Sequence, residues 1–288
     1  MTDLSTKPLA MWLRLPKLSA AGSICGLWLL IIVIAGFAGP AILGIDPNGV
    51  DLLARLRPPV GFGGTVDHLL GTDQLGRDIL IRICHAVRVS LLLALFGTLI
   101  GAAIGISTGF LAAHFGGVVD DVISTLIDFQ AAMPFLILAI AAVATLGSNI
   151  AVLLVLVSVF GWERYARLSR GLALSYLNNG YVVAAQTYGA GWGTIYSRHI
   201  LLNILAILIV NITLTFPEIL MLETTLSFLG LGVQPPHASL GSMMNYGRDQ
   251  LFKAWWISIL PGLAIFLTTL AVSTIGDILS NRLSIDRR

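Results

Sequence analysis

Long apolar runs separated by short polar islands dominate this chain. Six of them, Ala20–Leu43, Val89–Ala113, Ile123–Leu146, Ile150–Leu172, Ile204–Leu226 and Trp256–Ser280, approach the roughly 20 residues that cross a bilayer core. Only closed hydrogen-bonded structures survive in hydrocarbon, so runs of this length predict helices. The pattern therefore predicts six transmembrane helices. Residues 1–19 precede them, an outer loop covers 44–88, and a polar stretch covers 173–203. The outer loop is rich in Gly and Pro around Arg57–Gly64. It is expected to run into a short amphipathic helix near Gln74–Arg88, with Asp73 as its N-cap. Gly97, Gly101, Gly105 and Gly109 recur every fourth residue in the second run, giving a smooth face on which another helix packs closely. Pro134 removes a backbone donor from the third run and predicts a kink. No inverted repeat relates the two halves, so residues 20–288 read as one transmembrane domain.

Composition agrees with the pattern. Of 288 residues, 56% are hydrophobic and 11% charged, against about 25% charged in soluble domains. The chain is expected to be an all-α integral membrane protein with lipid as its solvent. A net charge of +2 is too small to suggest a nucleic-acid partner, and none is expected. With the N-terminus inside, Lys7, Arg14, Lys17, Arg164, Arg167, Arg170, Arg198, Arg282, Arg287 and Arg288 fall on the inner side, leaving seven of 17 outside. Several of those seven lie in the long outer loop, where the positive-inside rule weighs less. Both termini, including the 1–19 segment, are thus expected in the cytoplasm. The first run follows a basic segment as a signal peptide does, but exceeds a typical apolar region of about 7–15 residues and reads as a retained anchor. Cys25 and Cys84 form no disulfide or metal pattern.

Catalytic signatures are missing. There is no Gly-rich loop ending in Gly-Lys-Ser/Thr, no His-Glu-x-x-His and no Gly-x-Ser-x-Gly. Neither enzyme activity nor a metal site is expected. His68, His85, His114, His199 and His237 read as solvated residues outside the spans. Asn211-Ile-Thr213 has the form of a glycosylation acceptor but lies in an apolar run. Asp128, Glu218, Glu223 and Asp277 lie in or beside spans, where ionisable groups face a bundle interior or a watery path. Asp128 and Asp277 read as structural, Asp277 pairing with Arg282. Glu218 and Glu223 are candidates for a translocation path or gate, or for structural bracing. Five residues apart, they point about 140° apart around a helix axis unless Pro217 bends it.

The polar stretch Tyr181–Asn203 contains Ala184, Ala185, Gly189, Ala190, Gly191 and Ile200. Small residues permit close approach of another surface, and glycine permits a positive φ. Two short helices joined by a tight turn, the second ending at Ile200, are expected. The stretch reads either as a docking element for a soluble partner or as an ordinary Gly/Ala-rich loop.

Four segments together resemble one family. They are His68-Leu-Leu-Gly-Thr-Asp-Gln-Leu-Gly-Arg-Asp78, the Trp162–Gly171 segment with Tyr165-Ala-Arg-Leu168, the Tyr181–Asn203 loop, and Glu223-Thr-Thr-Leu-Ser-Phe-Leu-Gly-Leu-Gly-Val-Gln-Pro-Pro236. In this order they resemble the permease subunits of ATP-binding-cassette importers for dipeptides, oligopeptides and nickel. The resemblance covers about three quarters of the chain, from Leu69 onward. It implies a six-helix type I importer permease fold in the bacterial inner membrane. It also implies a heterodimer with a second permease, two ATPase subunits that hold ATP and magnesium, and a substrate-binding protein. This chain is then expected to bind no cofactor itself. The 181–203 loop is similar to the family's "EAA" loop, which implies ATPase coupling through Ala184, Ala185, Gly189, Ala190, Gly191 and Ile200. Val183 replaces the loop's glutamate, Leu202 its terminal proline, and Asn178, Asn179 and Gly180 the usual charges before it, so docking is expected to lean on shape and apolar contact. Peptides are the favoured substrate, with nickel chelates or glycosides as alternatives. An ion-coupled secondary transporter, with Glu218 beside Pro217, is the rival mechanism.

Overall fold

The computed structural model describes residues 20–44 and 46–285, without the side chains of residues 43 and 282–285. The expected 1–19 segment, the Asp277–Arg282 pair, Arg287 and Arg288 therefore lie outside what is described. Regular structure among the described residues is helical, apart from an isolated antiparallel bridge between Thr72 and Asp78. The helices are α1 (Ala20–Leu43), α2 (Ile79–Phe115), α3 (Gly117–Ala132), α4 (Phe135–Leu146), α5 (Ile150–Leu177), α6 (Gly180–Thr187), α7 (Trp192–Phe228), α8 (Leu240–Arg248) and α9 (Trp256–Ile285).

By length and composition α1, α2, α7 and α9 can each cross a membrane, and α3 with α4 forms a further apolar unit bent by 92°. The bend falls at Met133–Pro134, where the ring of Pro134 forces the preceding residue out of the helical region (Met133 φ −88°, ψ 135°). The kink expected there is a complete break. α5 is 28 residues long, but Glu163, Arg164, Arg167 and Arg170 occupy its second half and lower its apolarity. Those arginines are answered by carboxylates on neighbouring helices. Arg164 meets Glu218 of α7 at 2.7 Å, Arg167 meets Asp128 of α3 at 3.1 Å, and Arg170 forks onto Asp120 of α3. Asp128 is thus paired, as the sequence reading favoured.

The glycine stripe explains the closest helix contact. α2 packs most extensively on α5. A Cβ at Gly101 would lie 2.6 Å from the Ser158 carbonyl, at Gly105 2.3 Å from the Trp162 carbonyl, and at Gly109 2.4 Å from the Ala166 carbonyl. The backbones touch. Around this seam the buried apolar residues form three successive clusters: Ile79, Val87, Met243 and Ile257 at one end, Leu93, Leu153, Val157 and Ile219 in the middle, and Ala113, Val182, Ile200 and Ile204 at the other.

Two predicted boundaries are corrected. The short helix expected at 74–88 does not stand alone, because α2 runs unbroken from Ile79, giving 37 residues or about 55 Å. Its N-cap is Asp78, whose carboxylate accepts from the backbone N–H of Leu80 and Ile81, and not Asp73. The fifth run was expected to begin at Ile204 after a short helix ending at Ile200. Instead α7 begins at Trp192 and passes Ile200 without a break. No Gly or Pro interrupts residues 194–216, and the Ile195–Ile200 turn is a π-helix. Its i→i+5 geometry matches the five-residue step between Ile195 and Ile200, which keeps both side chains fully buried on one stripe with Ile204 and Leu208. The histidines also depart from expectation: His85 and His114 lie within α2 and His199 within α7.

Candidate functional site

α6 and the turn after it form one end of the molecule. Val182 is the buried anchor of this eight-residue helix, packed with Ala173, Ile195 and Ile200. The helix stops because Gly189 adopts φ +82°. Gly189 N–H then donates to the Gln186 carbonyl at 2.9 Å, and Ala190 N–H to the Ala185 carbonyl at 3.0 Å. This pair of bonds is a Schellman termination, which favours glycine at the left-handed position. The tight turn read from the sequence is present, and Gly189 is its pivot.

Of the six residues expected to couple, Ala184, Gly189 and Gly191 are exposed, and Ala185 and Ala190 are half-buried. Ile200 differs. It is 0% exposed and supports the element from beneath. Added Cβ atoms at Gly189, Gly191 and Gly193 would meet nothing within 4 Å, so the rim is open on its outer side. Val183 and Leu202, the two departures from the family loop, are both exposed. Two aromatic side chains share the rim and were not singled out from sequence: Tyr188 is 91% exposed and Trp192 47%. The signal for them was present in Tyr188-Gly-Ala-Gly-Trp192, aromatics bracketing small residues at a turn.

The element is tied to the rest of the bundle. Trp192 and Tyr196 stack edgewise on His114 at the end of α2, with ring centroids 4.7 and 5.6 Å away. Asn203 donates to the Tyr181 hydroxyl at 3.3 Å, joining α7 to α6. α6 thus packs on α5 and on the first turns of α7, and Trp192 and Tyr196 of α7 in turn meet the end of α2.

The opposite end holds the His68–Asp78 motif. Asp73 accepts from Leu75 N–H at 2.8 Å, Arg77 N–H at 3.0 Å and Arg77 Nε at 2.6 Å, while Arg82 Nε lies 3.5 Å away. Trp256 Nε1 donates to the Thr72 carbonyl at 3.1 Å, and Gln74 donates to the Tyr246 carbonyl of α8. His68 Nδ1 lies 2.9 Å from Asp78 Oδ2. A Cβ at Gly76, with φ +75°, would fall 1.6 Å from the Asp51 carbonyl oxygen, so the chain crosses itself there only because that residue is glycine. The motif fastens the segment between α1 and α2 to α2, α8 and α9.

Glu218 and Glu223 do not converge. Glu218 is about half-exposed and engaged with Arg164. Glu223 is 0% exposed. One of its oxygens accepts from Ser227 Oγ at 2.7 Å, and the other has no hydrogen-bond partner among the described residues. Beside it, Leu240 N–H donates to Ser90 Oγ at 3.1 Å, and Ser239 forms a capping box with Ser242 at the start of α8. Pro217 does not turn the two carboxylates toward one another. Among the described residues no three His, Cys, Asp or Glu side chains group as metal ligands.

Residues 85–285 match the family described as the binding-protein-dependent transport system inner membrane component. The chain belongs to this family. The permease resembles the di/tripeptide transport system permease of Pseudomonas aeruginosa, with 38% identity over 87% of this chain and 83% of that protein. It is 36% identical to a putative peptide transport system permease of Brucella suis, over 96% and 92% of the two chains. It is likewise 36% identical to the glutathione transport system permease of Pectobacterium atrosepticum, over 88% and 82%. The family read from the four sequence segments is thus shown, and with it an inner-membrane transport component of several apolar helices.

Proposed function

We propose that this permease forms half of the translocation path of an ATP-driven importer for peptides or closely related small solutes. The carrying observation is that relatives named for di/tripeptide, peptide and glutathione transport align over more than four fifths of both chains. The exposed turn at 184–193 supports coupling to ATPases. It is a rigidly terminated, open-rimmed element linked through His114, Trp192 and Tyr196 to the long helices. The sequence has no nucleotide-binding loop, so ATP and magnesium are assigned to two partner ATPases, with a second permease completing the path and a binding protein delivering substrate. α5 serves as a sixth crossing, its arginines neutralised by Asp120, Asp128 and Glu218. Both termini then face the cytoplasm. Alternating access follows when ATPase closure moves the α6 turn and, through the touching α2–α5 seam, the bundle as a body.

Enclosure of Glu223 favours a brace at the outer end of α7 over a contact with substrate. Glu218, neutralised by Arg164, is unsuited to serve as the lone midplane acid that an ion-coupled carrier needs. The test is uptake of a labelled dipeptide by proteoliposomes holding the whole importer with its binding protein. Uptake that requires ATP and is unaffected by collapsing ion gradients is expected; uptake driven by a gradient without ATP refutes the reading.

A further inference from the structure

Paired but exposed charges mark one face of the bundle. Arg164 of α5 donates through Nη1 to Glu218 Oε2 of α7 at 2.7 Å, and both side chains remain nearly half exposed. Arg167 of α5 meets Asp128 of α3 at 3.1 Å, and both are mainly exposed. On α7, Asn211, Glu218 and Thr225 recur every seventh residue and so share one stripe. Exposed surface elsewhere is of the opposite kind. α1, and α9 from Trp256 to Gly276, carry no Asp, Glu, Lys or Arg, and Leu27, Leu30, Phe266 and Leu270 are exposed on them.

The depth of the Arg164–Glu218 pair decides what this face meets. Ser148 Oγ donates to the Gly232 carbonyl at 2.6 Å, tying the start of α5 to the end of α7. From this common level, at a rise of about 1.5 Å per residue, Arg164 lies about 21 Å along α5 and Glu218 about 15 Å along α7. A hydrocarbon core is about 30 Å thick, so in the six-crossing arrangement Glu218 falls near its middle. Arginine can snorkel toward an interface, but the shorter glutamate stem cannot follow it. Lipid is therefore an unfit neighbour for this pair. A single hydrogen bond leaves the other guanidinium N–H groups and the second carboxylate oxygen to solvent, and a packed protein surface would strip that water at high cost. We infer that the face of α3, α5 and α7 bearing these ion pairs lines the water-filled path, with Arg164 and Glu218 standing in it as a self-neutralised charge pair that the transported peptide passes. This rests on the importer reading above.

The experiment uses the complete importer in proteoliposomes, with Cys25 and Cys84 replaced by Ser and one cysteine reporter at a time. Met221, half exposed and three residues from Glu218 on α7, lies on the proposed face, and the exposed Phe266 of α9 lies on the apolar one. A trimethylammonium methanethiosulfonate attacks the thiolate, which forms in water and not in lipid, so Met221→Cys is expected to react about tenfold faster or more than Phe266→Cys. Reaction of Met221→Cys no faster than that of Phe266→Cys, both with and without ATP, overturns the inference, and this comparison alters no charged residue. Charge variants then read the pair itself through the uptake ratio of lysylalanine to glutamylalanine. Arg164→Gln unmasks Glu218 and is expected to raise that ratio about threefold or more, while Glu218→Gln unmasks Arg164 and is expected to lower it by a similar factor. The double variant is expected to return to the parent ratio. An unchanged ratio in both single variants, which a purely structural brace would give, overturns the inference as well. Failure of the importer reading is separate: it appears as no ATP-driven dipeptide uptake by the parent protein, whatever the cysteine reactivities.

Discussion

Glu223 shows how one residue's meaning depends on its enclosure. A carboxyl group with no exposed surface and one bond to Ser227 cannot touch a solute passing outside the protomer. Glu223→Gln keeps an oxygen for the Ser227 hydroxyl, so dipeptide uptake is expected to stay within about twofold of the parent, hydrogen bonds being the interaction that matters. Glu223→Ala leaves that hydroxyl unpaired and is expected to lower stability by about 1–3 kcal/mol, read as a drop in the thermal midpoint of the purified complex. Uptake lost in Glu223→Gln at normal stability would show that the charge itself acts. Asp73 illustrates the same dependence. It is one acid among fifteen acidic residues in the sequence, yet it holds two backbone N–H groups and two arginines where the segment before α2 meets that helix.

At the scale of elements, glycine does two different jobs in this permease. Along α2, Gly101, Gly105 and Gly109 are required because α5 backbone occupies the space a side chain would need. At the end of α6, Gly189 has open space around it and is required by its φ of +82° instead. A β-branched residue there opposes the left-handed conformation by about 1–2 kcal/mol or more and disfavours the Schellman bonds. Gly189→Val is therefore expected to abolish ATP-driven uptake while the protein still reaches the membrane in normal amount. Gly189→Asn, which tolerates that conformation, is expected to retain more. Both are checked by uptake normalised to membrane content, and normal uptake in Gly189→Val with the ATPases bound would remove the coupling assignment.

Across the whole molecule the proposed six-crossing topology puts the two ends on opposite sides of the membrane. Tyr188, 91% exposed, lies at the α6 end, and Phe252, fully exposed, follows α8 at the other. In a chain lacking its native cysteines, Phe252→Cys is expected to react with an impermeant maleimide on spheroplasts. Tyr188→Cys is expected to react only after permeabilisation. Reaction of both from the same side would exclude α7 as a crossing and with it the proposed topology.

Sequence alone determined what local pattern and short-range chemistry control. Apolar runs marked the long helices because a bilayer sets their length, Pro134 marked the break after Met133, and the i+4 glycines marked a packing face. The order of four motif segments marked the family, and small residues around Gly189 marked a turn needing positive φ. What depends on residues distant in the chain was decided only by the tertiary structure. Ile200 sits in a motif associated with docking, but Ala113, Ala173 and Val182 enclose it. Asp73 looked like a helix cap because it precedes a helical pattern, but Arg77 and Arg82 claim its carboxylate and Asp78 takes the cap. His85 and His237 are 152 positions apart in the sequence, and packing of the α7–α8 connection against α2 stacks their rings. Periodicity reports which face of a helix is apolar; which partner covers that face, and which charges meet across it, is settled by three-dimensional packing.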